Sequence, residues 1–148
     1  MRKLWAAVLS PVLALAFFVM GSPAANAFGS EVLGCGYPGS TWTATQCSGV
    51  GGNLVQFVPH YLSGTYSYQW TLTYSSGTPI TATCSATSPV PCISSGCTST
   101  SSSCTILTQD ALQTKTYVAT LRLTQAGKSR TIQASAVVTP YPEPCRTC

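Results

Sequence analysis

Alternation of apolar and polar residues is the dominant pattern of the chain from residue 53 onward. Successive side chains of a β-strand point to opposite faces of the sheet, so this alternation predicts strands with one buried face and one solvated face. The clearest strands are predicted in the segments YSYQWTLTY, KTYVATLRL and RTIQASAVV, and QAGK between the last two predicts a tight hairpin turn. NLVQFV and PITATC predict two further strands, and TWTAT and CTIL two short ones.

Helical periodicity is not convincing in any segment, and TQDALQ is long enough for one turn at most. Short runs rich in β-branched and aromatic residues, separated by turn residues, are typical of an antiparallel sandwich. We therefore predict an all-β fold in which the apolar faces of two sheets form the core. The predicted core includes Phe57, Trp70, Tyr117, Ala119 and Leu121.

Three motifs resemble those of immunoglobulin-like and PKD-like domains. KTYVATLRLTQAGKSRTIQASAVV is similar to their closing hairpin, and YSYQWTLT is similar to their tryptophan-bearing central strand. Asp110 followed by Tyr117 resembles their tyrosine corner, in which a tyrosine precedes a core cysteine by two residues. The resemblance covers residues 53–139 and implies an antiparallel, immunoglobulin-like β-sandwich. It does not extend to a calcium site, because TYSSGTP stands after Trp70 where PKD-like domains commonly have an acidic turn.

The resemblance also implies a substitute for the disulfide that joins the two sheets in this family. Ala119 stands where the core cysteine is expected, and Phe57, 13 residues before Trp70, stands where its partner is expected. A large phenylalanine facing a small alanine would fill the volume of the missing bridge.

The first 27 residues have the pattern of a secretory signal peptide. Two basic residues precede an apolar run, and Ala25-Asn26-Ala27 places small residues at the positions that signal peptidase reads. We expect cleavage before Phe28, which leaves 121 of the 148 residues. An uncleaved membrane anchor is the alternative, since the apolar run approaches the length of a bilayer span, but Pro11 and the cleavage site favour removal. The protein is therefore expected to be secreted and extracellular, with no membrane association after signal cleavage.

All eight cysteines follow the expected cleavage site, and an even number in a small secreted domain predicts a disulfide framework. Short loops close most readily, which favours pairing between neighbours. The favoured pairs are Cys35 with Cys47, Cys84 with Cys92, Cys97 with Cys104, and Cys145 with Cys148. In the alternative, Cys84 pairs with Cys104 and the C-terminal cysteines pair with Cys35 or Cys47.

The segment CISSGCTSTSSSC, from Cys92 to Cys104, consists almost entirely of cysteine, serine, threonine and glycine. A run with so little apolar surface stays mobile unless it is tied down. We interpret it as a surface loop whose tip is stapled by Cys97 and Cys104. Its role is stability alone, which we favour, or presentation of a rigid loop to a partner.

Four segments follow from these assignments: a signal peptide at 1–27, a disulfide-tied N-terminal arm or first strands at 28–52, the sandwich core at 53–139, and a proline-rich tail at 140–148. CRTC in the tail has the spacing of a redox pair or of half a zinc ribbon, but the second CxxC and the βαβ context that these need are missing. A structural bridge is favoured. PYPEP before it is interpreted as a rigid spacer rather than as a ligand for a partner groove.

Few residues suited to catalysis remain after signal cleavage. Five basic and three acidic residues give a net charge of +2, which is too sparse for a nucleic-acid interface. His60 is the one histidine, which excludes a multi-histidine metal site within the chain. The shortage of carboxylates and the absence of a GxSxG elbow disfavour glycoside hydrolysis and serine catalysis. We predict no enzyme activity, no cofactor and no metal.

Aromatic residues outside the alternating faces are candidates for partner binding, because exposed tyrosine and tryptophan commonly anchor protein and sugar recognition. These residues are Tyr37, Trp42, Tyr61, Tyr66 and Tyr141. The sequence therefore predicts a secreted, non-enzymatic binding module, a protein–protein adaptor or an accessory subunit of an extracellular assembly, whose partner is another secreted or cell-surface protein. An inhibitor of secreted hydrolases acting through the stapled loop and a carbohydrate-binding module are the alternatives.

Overall fold

The computed structural model describes residues 28–39, 45–109 and 112–140. Eight strands occur in these ranges: β1 (Val32–Gly36), β2 (Gln46–Val50), β3 (Leu54–His60), β4 (Ser67–Tyr74), β5 (Cys92–Gly96), β6 (Cys104–Leu107), β7 (Lys115–Gln125) and β8 (Lys128–Thr139). They form two four-stranded sheets with the orders β1-β3-β6-β5 and β2-β8-β7-β4. The all-β prediction is confirmed. Within the same ranges no helix is long and apolar enough to cross a membrane.

Strand pairing is antiparallel except at one sheet edge. β3 pairs with β1 and β6, and β7 pairs with β4 and β8, all in antiparallel register. β2 instead runs parallel to β8 over five residue pairs, from Gln46 beside Ser135 to Val50 beside Thr139. The QAGK turn is confirmed as the hairpin between β7 and β8. Its two central residues, Ala126 and Gly127, both have positive φ, as a tight two-residue hairpin turn requires.

Alternating residues of the strands form one core between the sheets. β7 and β8 bury eight side chains in this way: Tyr117, Ala119, Leu121, Leu123, Ile132, Ala134, Ala136 and Val138. The other sheet contributes Leu33, Val55, Phe57 and Ile106 to the same cluster. Of the predicted core residues, Trp70 is only partly buried, although Leu72 on the same edge strand is buried in the core.

Phe57 and Ala119 are both fully buried and belong to the same cluster, one from each sheet. The two sheets are joined covalently elsewhere. The Cys35–Cys47 disulfide links β1 of one sheet to β2 of the other. β1 and β2 are therefore the first strands, in chain order, of their respective sheets.

Three disulfides follow the favoured local pairing: Cys35–Cys47, Cys84–Cys92 and Cys97–Cys104. The alternative pairing of Cys84 with Cys104 is wrong. Three bridges in one small β domain are typical of proteins from oxidising, extracellular environments. Cys145, Cys148 and most of the tail lie outside the described residues, as do the signal segment and Asp110.

Two segments differ from their sequence predictions. The first five residues of CISSGCTSTSSSC form β5, so only residues 97–103 are a loop. PITATC does not form a strand and makes two isolated bridges, Thr73 with Pro79 and Thr83 with Ile93. The reason is topological, since this segment leaves the edge of one sheet and joins the edge of the other within a few residues.

Candidate functional site

One side of the sandwich is closed by a connection rather than by a strand. There the edge strands β4 and β5 belong to different sheets, and residues 78–84 cross from one to the other. The Ile80 N–H donates to the Leu72 carbonyl at 2.9 Å, on the edge of β4. The Ile93 N–H donates to the Ala82 carbonyl at 2.7 Å, on the edge of β5. The crossover therefore covers part of both edges.

The stapled loop, residues 97–103, covers the opposite end of the β4 edge. The Tyr68 N–H donates to the Ser99 carbonyl at 3.1 Å, and the Trp70 indole N–H donates to the Ser101 carbonyl at 3.0 Å. The Cys97–Cys104 disulfide closes the base of the loop. The loop thus lies against β4 and does not project into solvent as a free tip.

A gap in the edge cover remains at Trp70. Alternate residues of an edge strand turn their main-chain N–H and C=O outward. On β4 these are the even-numbered residues, since the Tyr68 N–H and the Leu72 carbonyl are both bonded on that side. In the part of the chain that the structure describes, no main-chain bond from the loop or the crossover reaches Trp70. Its N–H and C=O face the open edge.

A groove of about 360 Å³ opens beside this gap. Its lining is largely apolar and consists of Trp70, Thr71, Leu72, Pro79, Ile80, Thr81, Ile93 and Cys97. Beyond the crossover it adjoins a second cavity of about 250 Å³, lined by Tyr74, Ala82, Pro89, Val90 and Pro91 together with crossover residues 79–81. No lining residue of either cavity carries a charge, so the surface suits an uncharged, extended ligand.

The predicted partner-binding aromatics do not form this site. Tyr66 is 7% exposed and belongs to the core, which corrects its assignment as a surface anchor. Tyr37 is partly buried, and its hydroxyl lies over Gly49 of β2. Tyr61 is 56% exposed and does not line the groove. Trp42 and Tyr141 lie outside the described residues.

Tyr66 is buried, and its hydroxyl bonds a buried carboxylate. Glu31, immediately before β1, is fully buried; its Oε1 accepts the Tyr66 hydroxyl at 2.8 Å and its Oε2 accepts the Gly29 N–H at 2.7 Å. Arg130 Nη1 lies 3.7 Å from Oε2. Burial opposes ionisation of this carboxyl, but the hydrogen bonds that it accepts and the nearby guanidinium outweigh burial and hold the pKa of Glu31 below its ordinary value of 4.5.

The sequence did not predict the groove at Trp70 or the burial of Glu31, and the reasons differ. Trp70 was predicted from alternation as a core residue, and its position at a groove depends on the crossover and the loop, which share no pattern with β4. Glu31 is a single acidic residue beside an expected cleavage site, and nothing in its neighbours signals burial. Within residues 28–39, 45–109 and 112–140, no three His, Cys, Asp or Glu side chains lie together as a metal site needs.

Comparison with known proteins shows neither a family nor a function for this chain. No protein-family model matches the chain, and no curated protein matches it. Among solved structures, it is similar to a nucleoside hydrolase-related hypothetical protein from Saccharophagus degradans that is associated with carbohydrate metabolism. The two are 13% identical, with a TM-score of 0.40 over 74% of this chain and 26% of that one. The chain thus spans about a quarter of that protein's length, and a likeness this distant carries no argument about function.

Proposed function

We propose that this chain is a secreted, non-enzymatic binding module, an adaptor that holds an extended segment of another secreted or cell-surface protein. The site is the groove beside Trp70. The observation that carries the proposal is the gap in the β4 edge, where the main-chain N–H and C=O of Trp70 face an apolar groove. The gap lies between the stapled loop and the crossover, which are the two covers of this edge.

The chemistry of the gap favours a polypeptide. An extended segment that crosses the gap offers one N–H to the Trp70 carbonyl and one carbonyl to the Trp70 N–H, as a single residue does in strand addition to a sheet edge. Its neighbouring side chains enter the groove and lose contact with water against Leu72, Ile80 and Ile93. Because the lining has no charge, apolar and uncharged partner side chains are favoured over charged ones.

Rigidity of the covers contributes to affinity. Cys84–Cys92 anchors the far end of the crossover to β5, and Cys97–Cys104 fixes the loop. A groove whose walls are already ordered loses less conformational entropy when it binds. The same observation bears on the stapled loop, since two hydrogen bonds hold it against β4. That geometry supports a stabilising role over insertion into a hydrolase.

The strand order supports an immunoglobulin-like assignment within the sandwich class. In that fold, the first, second, fifth and fourth strands form one sheet and the third, sixth and seventh form the other. With β2 counted as an added strand beside β8, the order here is the same. The Tyr117 hydroxyl accepts the Gln109 N–H at 3.1 Å, as in a tyrosine corner. An immunoglobulin-like fold does not identify a binding partner, so the proposed function rests on the groove and not on the fold.

The test is co-purification from the culture medium of the producing cells, by gel filtration with mass spectrometry of every co-eluting protein. Thr81 is exposed and lines both cavities, so Thr81→Arg places a charged chain in the groove. Thr114→Arg is the matched control at an exposed threonine outside the lining. A stoichiometric companion that survives Thr114→Arg and disappears with Thr81→Arg is the expected result. A companion that tolerates Thr81→Arg, or a monomer that inhibits hydrolases or is retained on polysaccharide, contradicts the proposal.

A further inference from the structure

The buried carboxylate of Glu31 has little positive charge close to it. Its side chain is 0% exposed, and its pKa below 4.5 means that it is ionised at neutral pH. A buried ion is costly unless it is paired and hydrogen-bonded. In the described ranges the one ion pair is with Arg130, which is 34% exposed and lies at 3.7 Å, beyond hydrogen-bond distance. The neutral donors, Tyr66 and Gly29, supply no charge.

The chain turns back toward this carboxylate where the mature protein is expected to begin. Phe28 is partly buried, and its ring lies nearly parallel to that of Tyr66, with centroids 6.3 Å apart. The next residue, Gly29, has a φ of 118° and donates its N–H to Glu31. Covalent geometry keeps the Phe28 nitrogen within about 3.7 Å of the Gly29 nitrogen, so it lies within about 6.5 Å of Glu31 Oε2.

We propose that Glu31 is a binding site for the α-ammonium group of the mature chain. Signal peptidase hydrolyses the bond between Ala27 and Phe28 with one water molecule, which leaves a carboxylate on Ala27 and an amine on Phe28. An α-amine has an ordinary pKa of about 7.7–8.0, so it takes up a proton near neutral pH. The new cation is created a few ångströms from the buried anion. Before cleavage the same nitrogen is an uncharged amide.

Processing is therefore coupled to stability. The precursor places an ionised carboxylate in the interior with Arg130 as its charge partner, whereas the mature chain adds a second cation at the same site. This inference does not depend on the groove, because Glu31 and Phe28 do not line it, and it shares with the proposed function only the expected signal cleavage.

A thermodynamic cycle tests the pairing. Four proteins are compared, with intact disulfides: chains that begin at Phe28 or retain Ala25-Asn26-Ala27, each with Glu31 or Glu31→Gln. Retention of the three residues is expected to raise the unfolding equilibrium constant roughly tenfold when Glu31 is present, and to change it little in the Glu31→Gln background. An equal effect in both backgrounds, or no effect, overturns the proposal.

A chemical test avoids dependence on the Glu31→Gln variant. Lys115 and Lys128 are the lysines that follow the cleavage site, so a mature chain with both changed to arginine has the α-amine as its one primary amine. Acetylation removes the positive charge, whereas reductive dimethylation keeps it. We expect acetylation alone to lower the denaturant concentration at the unfolding midpoint. Equal midpoints for the two forms overturn the proposal, as does a secreted protein whose first residue is not Phe28.

Discussion

Gly49 in β2 provides a sharp test of how the N-terminal strands pack, because the Tyr37 side chain occupies the space where its Cβ would be. A Cβ built on Gly49 lies 0.8 Å from the Tyr37 hydroxyl oxygen and 2.0 Å from its ring Cζ. Ordinary contact begins at 3.4 Å, so the phenol must move by more than 2 Å in Gly49→Ala. Both elements are fixed, since Cys35–Cys47 ties β1 to β2 and β2 is paired with β8.

Overpacking of this kind costs about 1–3 kcal/mol, and we expect Gly49→Ala to lower the free energy of unfolding by that amount. Denaturant unfolding with the disulfides intact measures it. Tyr37→Ala removes the obstacle, so the further cost of Gly49→Ala in that background should fall to a few tenths of a kcal/mol. Gly77→Ala, at a glycine with open space around it, controls for glycine replacement, although its φ of 88° adds some strain. A full cost of Gly49→Ala in the Tyr37→Ala background would refute the packing described.

Three further predictions follow from buried or stapled groups. The pKa of Glu31 is lower in the folded state, so the ionised carboxylate stabilises the fold fully above the unfolded pKa of 4.5. This stabilisation is lost as the pH falls through the folded pKa. The difference in unfolding free energy between wild type and Glu31→Gln should therefore shrink when unfolding is measured in acid. Tyr117→Phe leaves the partly buried Gln109 N–H without its acceptor and should cost about 1 kcal/mol in denaturant unfolding. Replacement of Cys97 and Cys104 by alanine should cost about 2–3 kcal/mol and speed hydrogen exchange of the Trp70 indole N–H, whereas unchanged exchange would mean that the loop holds its place without the bridge.

Four of the strands that sequence alone predicts bury a continuous face, and the predicted short strand CTIL forms β6. β3, β4, β7 and β8 alternate because one side of each packs on the core. β1, β2 and β5 read VLGCG, QCSGV and CISSG and show no such alternation. All three are edge strands with one neighbour, and a disulfide helps to hold each of them. Their sequences are therefore rich in cysteine, glycine and serine and lack the alternation that a buried face produces.

The groove could not be predicted from the sequence, for a related reason. Its walls come from β4, β5 and the crossover, which are distant in sequence, and the opening is a property of main-chain pairing at Trp70. Cysteine spacing did predict the two disulfides that hold the loop and the end of the crossover, because loops of seven and eight residues close readily. Which edge those closed loops lie against depends on the order of strands in each sheet, and local spacing carries no information about that order.

The parallel pairing of β2 with β8 has a mechanical consequence. β2 is the second strand of the chain and β8 the last in the described residues, so tension applied to the two chain ends pulls these strands along one another in opposite directions. Their five residue pairs are then loaded together in shear rather than opened one at a time. The Cys35–Cys47 bridge passes the tension from β1 directly to β2, so the chain between the two cysteines cannot extend to relieve the load. Single-molecule pulling should show one abrupt rupture at high force, and gradual opening at low force would mean that β2 does not bear the load.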